Sequence, residues 1–362
     1  MKAAVMRAYK QPLEIAEIQI SKPGAHEVLV RTAATGVCHS DLHVVEGALP
    51  IPPPTVLGHE PAGIVEEVGP EVRHVQPGDH VIGCLSAFCG HCEFCLSGRP
   101  SLCGGAATMR AADEPPRLSE DGQTILQFAH LSSFAEQMLV HENALVKIRE
   151  DMPLDRAALI GCGVTTGVGA ALNTAQVRPG SSVAVIGCGG VGLAAIQGSR
   201  IAGAGRIVAV DTAAWKLELA KELGATDGVD ASSGNPVGAV QELTGGGVDY
   251  AFEALGLKET VEQSWGMTRR GGMCVVIGLV PLGVNVEIPG LDIVFSAKTM
   301  VGSSMGSNRF RVDMPRYVDF YLNGQLKLDE MISARLKLDQ INEAFDKMRA
   351  REAARSVIVF DN

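Results

Sequence analysis

Cys89, Cys92, Cys95 and Cys103 crowd into one short stretch at C-x2-C-x2-C-x7-C spacing. Four thiolates closing within a single loop can fill a tetrahedral shell and leave no open position. That makes a structural zinc site, with an iron–sulfur cluster as the competing reading. His91 lies in the same loop and is left to solvent once four cysteines fill the shell. A second set of donors is Cys38 in Gly36-Val37-Cys38-His39-Ser40-Asp41-Leu42-His43, with His59 in Gly58-His59-Glu60. Thiol and imidazole both suit zinc, but this pair is far apart in the chain, and a lone Cys or His is more often a packing residue. The third pattern is G-x-G-x-x-G at Gly187, Gly189 and Gly192. There the first glycine permits a tight turn, the second lets backbone approach a pyrophosphate, and the third lets a helix pack on the preceding strand.

The elements around these residues must position them. The apolar run from Val183 to Ile186 reads as a buried strand of a parallel sheet, and Leu193 to Ala202 is helix material. Arg206-Ile207-Val208-Ala209-Val210 is the next strand and ends in Asp211, where a carboxylate can accept from an adenosine ribose. The helix N-terminus, with free N–H groups and partial positive charge, would face the phosphates. Trp215–Leu223, Val248–Glu253 and Met273–Gly278 continue as helix, strand and strand.

The first part of the chain, to about residue 80, reads differently. Leu13–Ile18 alternates with period two, and Glu27–Arg31 and Gly63–Gly69 are further short strands punctuated by Gly and Pro. This half is expected to be antiparallel or barrel-like. Residues 104–127 show no clear periodicity and read as a surface loop, and Ser132–Val140 returns to strand. Thr165–Ala175 reads as a helix leading into the parallel half, and helices are expected near Met314–Asn323 and Leu338–Arg349 before a closing strand at Arg355–Phe360.

Composition narrows the function classes. A chain of 362 residues suggests about two domains. Net charge is 31 − 41 = −10, which argues against nucleic acid or an anionic membrane as partner. No apolar run approaches the roughly 18 residues of a membrane span, and the N-terminus lacks a signal core. A cytoplasmic location is the expectation, and a reducing compartment favours metal over disulfides for the nine cysteines.

With these motifs in order, the sequence resembles the zinc-dependent alcohol dehydrogenases of the medium-chain dehydrogenase/reductase family. The likeness spans essentially the whole chain and is carried by the two donor segments, the four-cysteine loop, Gly161-Cys162-Gly163-Val164-Thr165-Thr166-Gly167, and Gly187-Cys188-Gly189-Gly190-Val191-Gly192. It implies an α/β chain: a Rossmann doubly wound parallel sheet over 164–304, and a GroES-like, β-rich catalytic domain over 1–163 and 305–362. Two zinc ions per chain are implied. Cys38, His59 and Cys162 would hold the catalytic one, and Cys89, Cys92, Cys95 and Cys103 the structural one, which sets the iron–sulfur reading aside. Glu60 would sit behind the catalytic metal and exchange with it transiently. Asp41 would accept from the far nitrogen of His59, Ser40 would take the alcohol proton, and His43 would relay it to solvent.

The resemblance also implies NAD as cofactor. His39 and Arg355 would reach its pyrophosphate, Gly187, Gly189, Gly190, Val191 and Gly192 would cradle it, and Asp211 and Lys216 would hold the adenosine ribose. Leu49, Leu85 and Phe128 would line the substrate pocket, in a cleft between the domains. The implied reaction is hydride transfer between a primary, medium-chain or aromatic alcohol and NAD, by a homodimer. Glutathione-dependent formaldehyde dehydrogenases are close alternatives, although they usually lack a His at the position of His43, and no counterpart of their adduct-binding Arg is evident. A polyol dehydrogenase is opposed by Cys162, where those enzymes generally carry a carboxylate. A non-catalytic protein that binds a partner through the zinc loop is opposed by the acidic balance and the complete dinucleotide fingerprint.

Overall fold

A computed structural model describes residues 1–111 and 113–361. The chain forms two compact units. One comprises Met1–Cys162, Arg309–Gly324 and Met331 onward, and the other comprises Gly163–Asn308 and Gln325–Glu330.

The first unit is built on the long strand Glu27–Val37, rich in valine and threonine as a half-buried pleat requires. It pairs antiparallel with Pro61–Val68, Gln137–His141 and Arg355–Val359. His80–Gly83 and Leu145–Lys147 extend this sheet on one side, and Ile332–Leu336 closes the other. Val28 and Val30 point from the central strand into a core shared with Val65, Val81, Met138 and Val140. A second sheet runs in the order Glu14–Glu17, Lys2–Met6, Thr55–Val56, Gln123–Gln127, Leu118–Glu120, Gln19–Ile20.

Two of those strands lie where the sequence suggested only a surface loop. Leu118–Glu120 and Gln123–Gln127 form a hairpin with Glu120 opposite Gln123. Its two-residue turn is Asp121-Gly122, both at positive φ (47° and 80°), the geometry for which Asp-Gly is favoured. The strand expected over Ser132–Val140 is confined to Gln137–His141. The helix expected over Thr165–Ala175 holds α geometry only at Thr165–Gly169 and widens to π geometry at Ala170–Thr174. Ile160–Val164, which carries Cys162, is also π-helical. The continuous helical stretch Leu154–Thr174 is long and apolar enough to span a membrane by length and composition, unlike any run anticipated from the sequence. Most of it is buried inside the protein, as in the core helix of a soluble fold.

The second unit has six strands, all parallel. Counted within the unit their order is 3-2-1-4-5-6, the doubly wound arrangement of dinucleotide-binding folds. The first is Ser182–Ile186, and its Val183, Ala184 and Val185 are buried, as a sheet covered on both faces demands. Helix Gly190–Ile201 follows directly. A Cβ on Gly192 would collide with the Gly187 carbonyl oxygen, so only glycine lets this helix start so close to the strand.

One buried carboxylate ties the 104–127 segment to the central strand. Glu27 accepts from Gly24 N at 2.8 Å, from Arg110 Nε at 2.9 Å and from Arg117 Nε at 2.7 Å. Burial opposes its ionisation, but these donors hold the carboxyl down at about 2. A depressed carboxyl contributes stability that is complete above its ordinary value of 4.5 and is lost as pH falls toward 2. Glu27→Gln leaves two largely buried arginines without their counter-charge, and is expected to cost about 3 kcal/mol at pH 7. Thermal melts should show a gap from wild type that narrows progressively as pH drops below 4.5. A gap that is constant from pH 7 to 3 would mean that Glu27 acts through packing alone.

Candidate active site

Cys38 directly follows the central strand and caps helix His39–Val45. His59 and Glu60 directly precede the neighbouring strand Pro61–Val68, after Gly58 at φ 91°. Pairing of Thr35 with Pro61 therefore sets the two donor segments side by side. Cys162 arrives from the π-helical turn. Gly161 lets that turn come close, since a Cβ there would lie 3.0 Å from Gly83 O and 3.3 Å from Glu60 Cα. One ligand atom from each of Cys38, His59, Glu60 and Cys162 falls within 4.8 Å of all the others, and all four residues are buried.

Asp41 organises this site. Its carboxylate accepts from Cys38 N at 3.3 Å, from Gly58 N at 3.0 Å and from His59 Nδ1 at 3.0 Å. A carboxylate only accepts, so the Nδ1 proton is fixed there and Nε2 is the ring nitrogen left to the thiol side of the site. His59 Nε2 is buried with no hydrogen-bond partner, and so is Glu60 Oε1. Burial pulls the His59 imidazole down, but Asp41 and the Cys38 thiolate raise it to about 10, so a metal ion bound here would displace the Nε2 proton. Cys38 is held well below the usual thiol range, first by its hydrogen bond with Cys162 and against its burial. Such a pocket, with anionic donors and an orphaned imidazole nitrogen, suits a cation. Two sulfurs and one imidazole are the donor set of an open, catalytic zinc site.

Arg355 lies behind it. Its guanidinium is buried and ion-paired through Nη2 to Glu60 Oε2. The sequence expectation directed this side chain to a pyrophosphate; its partner in the structure is Glu60. A Cβ on Gly36 would overlap the same Glu60 oxygen, which explains a glycine inside the strand. The Glu60–Arg355 pair was not anticipated, because nothing local in the sequence links two positions so far apart.

Ser40 and His43 share one face of helix His39–Val45, one turn apart. Ser40 Oγ is 3.8 Å from Cys38 Sγ, and His43 is half-buried. His39 is exposed at the start of the helix. Leu49 and Phe128 pack, with Ile51, against one apolar cluster, whereas Leu85 packs against another. The Phe128 ring meets His59 edge-on at 5.5 Å between centroids, which places it beside the metal donors.

The four cysteines of the loop also converge. Cys89 Sγ is 3.9 Å from Cys95 Sγ, and Cys92 Sγ is 3.6 Å from Cys95 Sγ. A tetrahedron with zinc–sulfur bonds of about 2.3 Å has edges of about 3.8 Å, whereas a disulfide requires about 2.05 Å. The loop therefore fits zinc, and no two cysteines form a disulfide among the described residues. His91 is exposed, with Nδ1 3.0 Å from Cys89 O.

In the second unit Gly187 turns at φ 91°, and a Cβ on Gly189 would meet nothing within 4 Å. Gly189, Gly190 and Val191 are half-buried, and the helix they open has no side-chain cap, so its first N–H groups are open to an anion. Asp211 Oδ2 accepts from Cys188 N at 2.8 Å, and Oδ1 from Ala213 N at 3.0 Å, which fixes the carboxylate against the glycine turn. Lys216 Nζ lies over the Trp215 ring, 5.6 Å from its centroid.

Comparison with known proteins agrees with this architecture. Residues 24–150 match the alcohol dehydrogenase GroES-like domain, and residues 190–323 match the zinc-binding dehydrogenase domain. The chain is 43% identical to the alcohol dehydrogenase class-3 of Drosophila melanogaster, over 99% of this chain and 97% of that one. It is 41% identical to the S-(hydroxymethyl)glutathione dehydrogenase of Synechocystis, covering 99% of each. The crystal structure of benzyl alcohol dehydrogenase from Acinetobacter calcoaceticus superposes with a TM-score of 0.94 at 34% identity, covering 99% of each chain. Fold, donor sets and relatives together place this chain in the family of zinc-dependent medium-chain alcohol dehydrogenases.

Proposed function

We propose that this protein catalyses reversible, NAD-linked oxidation of an alcohol to an aldehyde or ketone. The observation that carries this reading is the buried convergence of Cys38, Cys162 and the unpartnered His59 Nε2. Bound there, zinc supplies a Lewis acid that acidifies the substrate hydroxyl, and NAD supplies the hydride acceptor. The chain's own residues do the rest. Asp41 holds His59 in the ligating tautomer, and Arg355 holds Glu60 behind the donors. Ser40 accepts the alcohol proton and hands it toward His43, the next group on the same helix face that can take up a proton. Asp211 and the open helix N-terminus hold the dinucleotide, with His39 and Lys216 as further contacts. A cytoplasmic, reducing location fits nine cysteines without a disulfide. A homodimer fits the exposed apolar side chains Leu282, Leu291, Val294 and Phe295, which precede the edge strand Thr299–Gly302 in the chain.

For the substrate, the apolar side chains of Leu49, Ile51 and Phe128 favour a medium-chain or aromatic alcohol. Arg110 and Arg117, the described cations of the 104–127 segment, are both committed to Glu27 rather than available to a carboxylate. The second reading is an S-hydroxymethyl thiol adduct, toward which the relatives weigh: two of them, 41% and 38% identical, are named S-(hydroxymethyl)glutathione dehydrogenases. Initial rates at 340 nm with benzyl alcohol, hexanol, and formaldehyde with and without glutathione decide between them. The apolar reading expects the highest kcat/KM with benzyl alcohol or hexanol, and an absolute requirement for glutathione would overturn it. In the same assay the Asp211 carboxylate should repel a 2′-phosphate, giving NAD at least about a hundredfold advantage over NADP, roughly 2.7 kcal/mol.

Elemental analysis should give two zinc ions per chain, and sedimentation of the same sample twice the chain mass. Cys38→Ser should lose activity and one zinc while staying folded. Cys92→Ser should instead lower the melting temperature, because structural zinc binding is coupled to folding. Full activity with a single zinc would contradict the two-site assignment.

His43→Gln should slow alcohol oxidation by about tenfold to a hundredfold near pH 7, with little change in NAD affinity. The deficit should shrink as pH rises and hydroxide replaces the base, and added buffer base should restore part of the rate. A wild-type pH profile, measured where hydride transfer limits turnover, would remove His43 from the relay.

A further inference from the structure

The Glu253 side chain is completely buried at the end of strand Val248–Glu253, in the second unit. This is strand 4 of the order 3-2-1-4-5-6, paired with strand 1 so that Glu253 stands opposite Ile186. Strands 1 and 4 flank the point where the strand order reverses, and the crevice beyond their carboxyl ends is where such sheets take a dinucleotide. Gly187, the first glycine of the cradle, follows Ile186 directly.

One residue clamps two loops at that edge. Glu253 Oε1 accepts from Leu255 N at 2.8 Å, Gly256 N at 2.8 Å and Thr260 Oγ1 at 2.7 Å. Its backbone oxygen accepts from Ile277 N at 2.9 Å and Gly278 N at 3.1 Å. The side chain thus fixes the loop after strand 4, and the main chain fixes the loop after strand 5. The two loops touch: a Cβ on Gly256 would lie 2.5 Å from Leu279 O, and a Cβ on Gly278 would lie 2.6 Å from Glu253 Oε2. The fixed loop in turn reaches the cradle, because a Cβ on Gly187 would lie 2.6 Å from Leu255 Cγ. Yet Glu253 Oε2 is buried without a hydrogen-bond partner. An anionic oxygen kept dry and unpaired is costly for a residue whose only task is to staple a loop, which a neutral side chain could do.

We propose that Glu253 is a positioning residue for the dinucleotide: its charge sets the Leu255–Gly256 loop against the Gly187 turn in the conformation that receives the cofactor. The proposal rests on the reading that this unit binds NAD. It acts through the loop and not through the reacting atoms, so its signature is a change in cofactor affinity with the chemical step preserved.

The test measures NAD binding by calorimetry, and steady-state kinetics, on the zinc-loaded full chain. Glu253→Gln keeps the shape but replaces charge-assisted acceptance by a neutral amide, and should raise the NAD Kd about tenfold. The value of kcat at saturating NAD should stay within about twofold, and the KM for alcohol should not move. Thr260→Val removes one donor and should raise the Kd by a smaller factor, about threefold, whereas Thr260→Ser, which keeps the hydroxyl, should bind as wild type. A residue with only a structural role would lower the melting temperature and the active fraction while leaving the Kd unchanged, and that result overturns the proposal. Should Glu253→Gln fail to fold, the Thr260 pair decides, since equal affinities in the Val and Ser variants overturn it too. Wild-type protein that binds no NAD overturns the cofactor reading and the proposal with it. Wild-type binding combined with an unchanged Kd in Glu253→Gln overturns the proposal alone.

Discussion

The convergence of Cys38 and His59 depends on one fully buried carboxylate, that of Asp41. A charge removed from water must be met by donors, and Asp41 finds them in three places: the backbone of Cys38, the backbone of Gly58 and the ring of His59. Each donor belongs to a segment that carries or adjoins a metal ligand. The same hydrogen bonds that solvate the charge therefore hold the strand end, the turn and the imidazole at fixed relative positions. The sheet register brings Cys38 and His59 to neighbouring strand ends; Asp41 then decides which nitrogen of the ring faces the thiols.

What was legible in the sequence was whatever is written in short spacings. The C-x2-C-x2-C-x7-C run closes on itself within one loop, so its spacing already contains its geometry. The glycine turn is equally local, because Gly192 and Gly187 must touch and lie in the same strand–turn–helix. The Glu60–Arg355 pair had no such signature, since it joins the beginning of one strand to the beginning of another from the far end of the chain. The Asp121-Gly122 hairpin left a signal that the polar character of Ser119, Gln123, Thr124 and Gln127 obscured. With few apolar positions to alternate, these strands are recognisable by their turn rather than by their period.

Strand-terminal acids show how the same local pattern serves different ends. Val208-Ala209-Val210-Asp211 and Tyr250-Ala251-Phe252-Glu253 both finish an apolar run with a carboxylate at the same edge of the sheet. Both spend their oxygens on backbone N–H groups of adjoining turns, Cys188 and Ala213 in one case, Leu255 and Gly256 in the other. Asp211 was singled out from the sequence because a ribose contact gives such an acid a chemical role. Glu253 carried an identical signal but no familiar role, and only its buried, unpaired oxygen distinguishes it from a loop staple.

Cys162 illustrates why a site can require irregular backbone. Of the four converging donors it comes from the interior of a helical stretch, whereas Cys38, His59 and Glu60 adjoin strand ends. In a π turn the hydrogen bonds run from i to i+5, so an extra residue is accommodated and the helix bulges locally. The bulge coincides with Gly161-Cys162-Gly163, where two residues without side chains flank the thiol. On one side, Gly161 approaches the backbone of Gly83 and Glu60 so closely that a methyl group would press on both. The small flanking residues let the backbone come within reach of the other donors, and the widened turn lets the thiol leave the helix toward them. The departure from ideal helix thus falls at the turn whose thiol lies within 4.8 Å of the Cys38, His59 and Glu60 donor atoms.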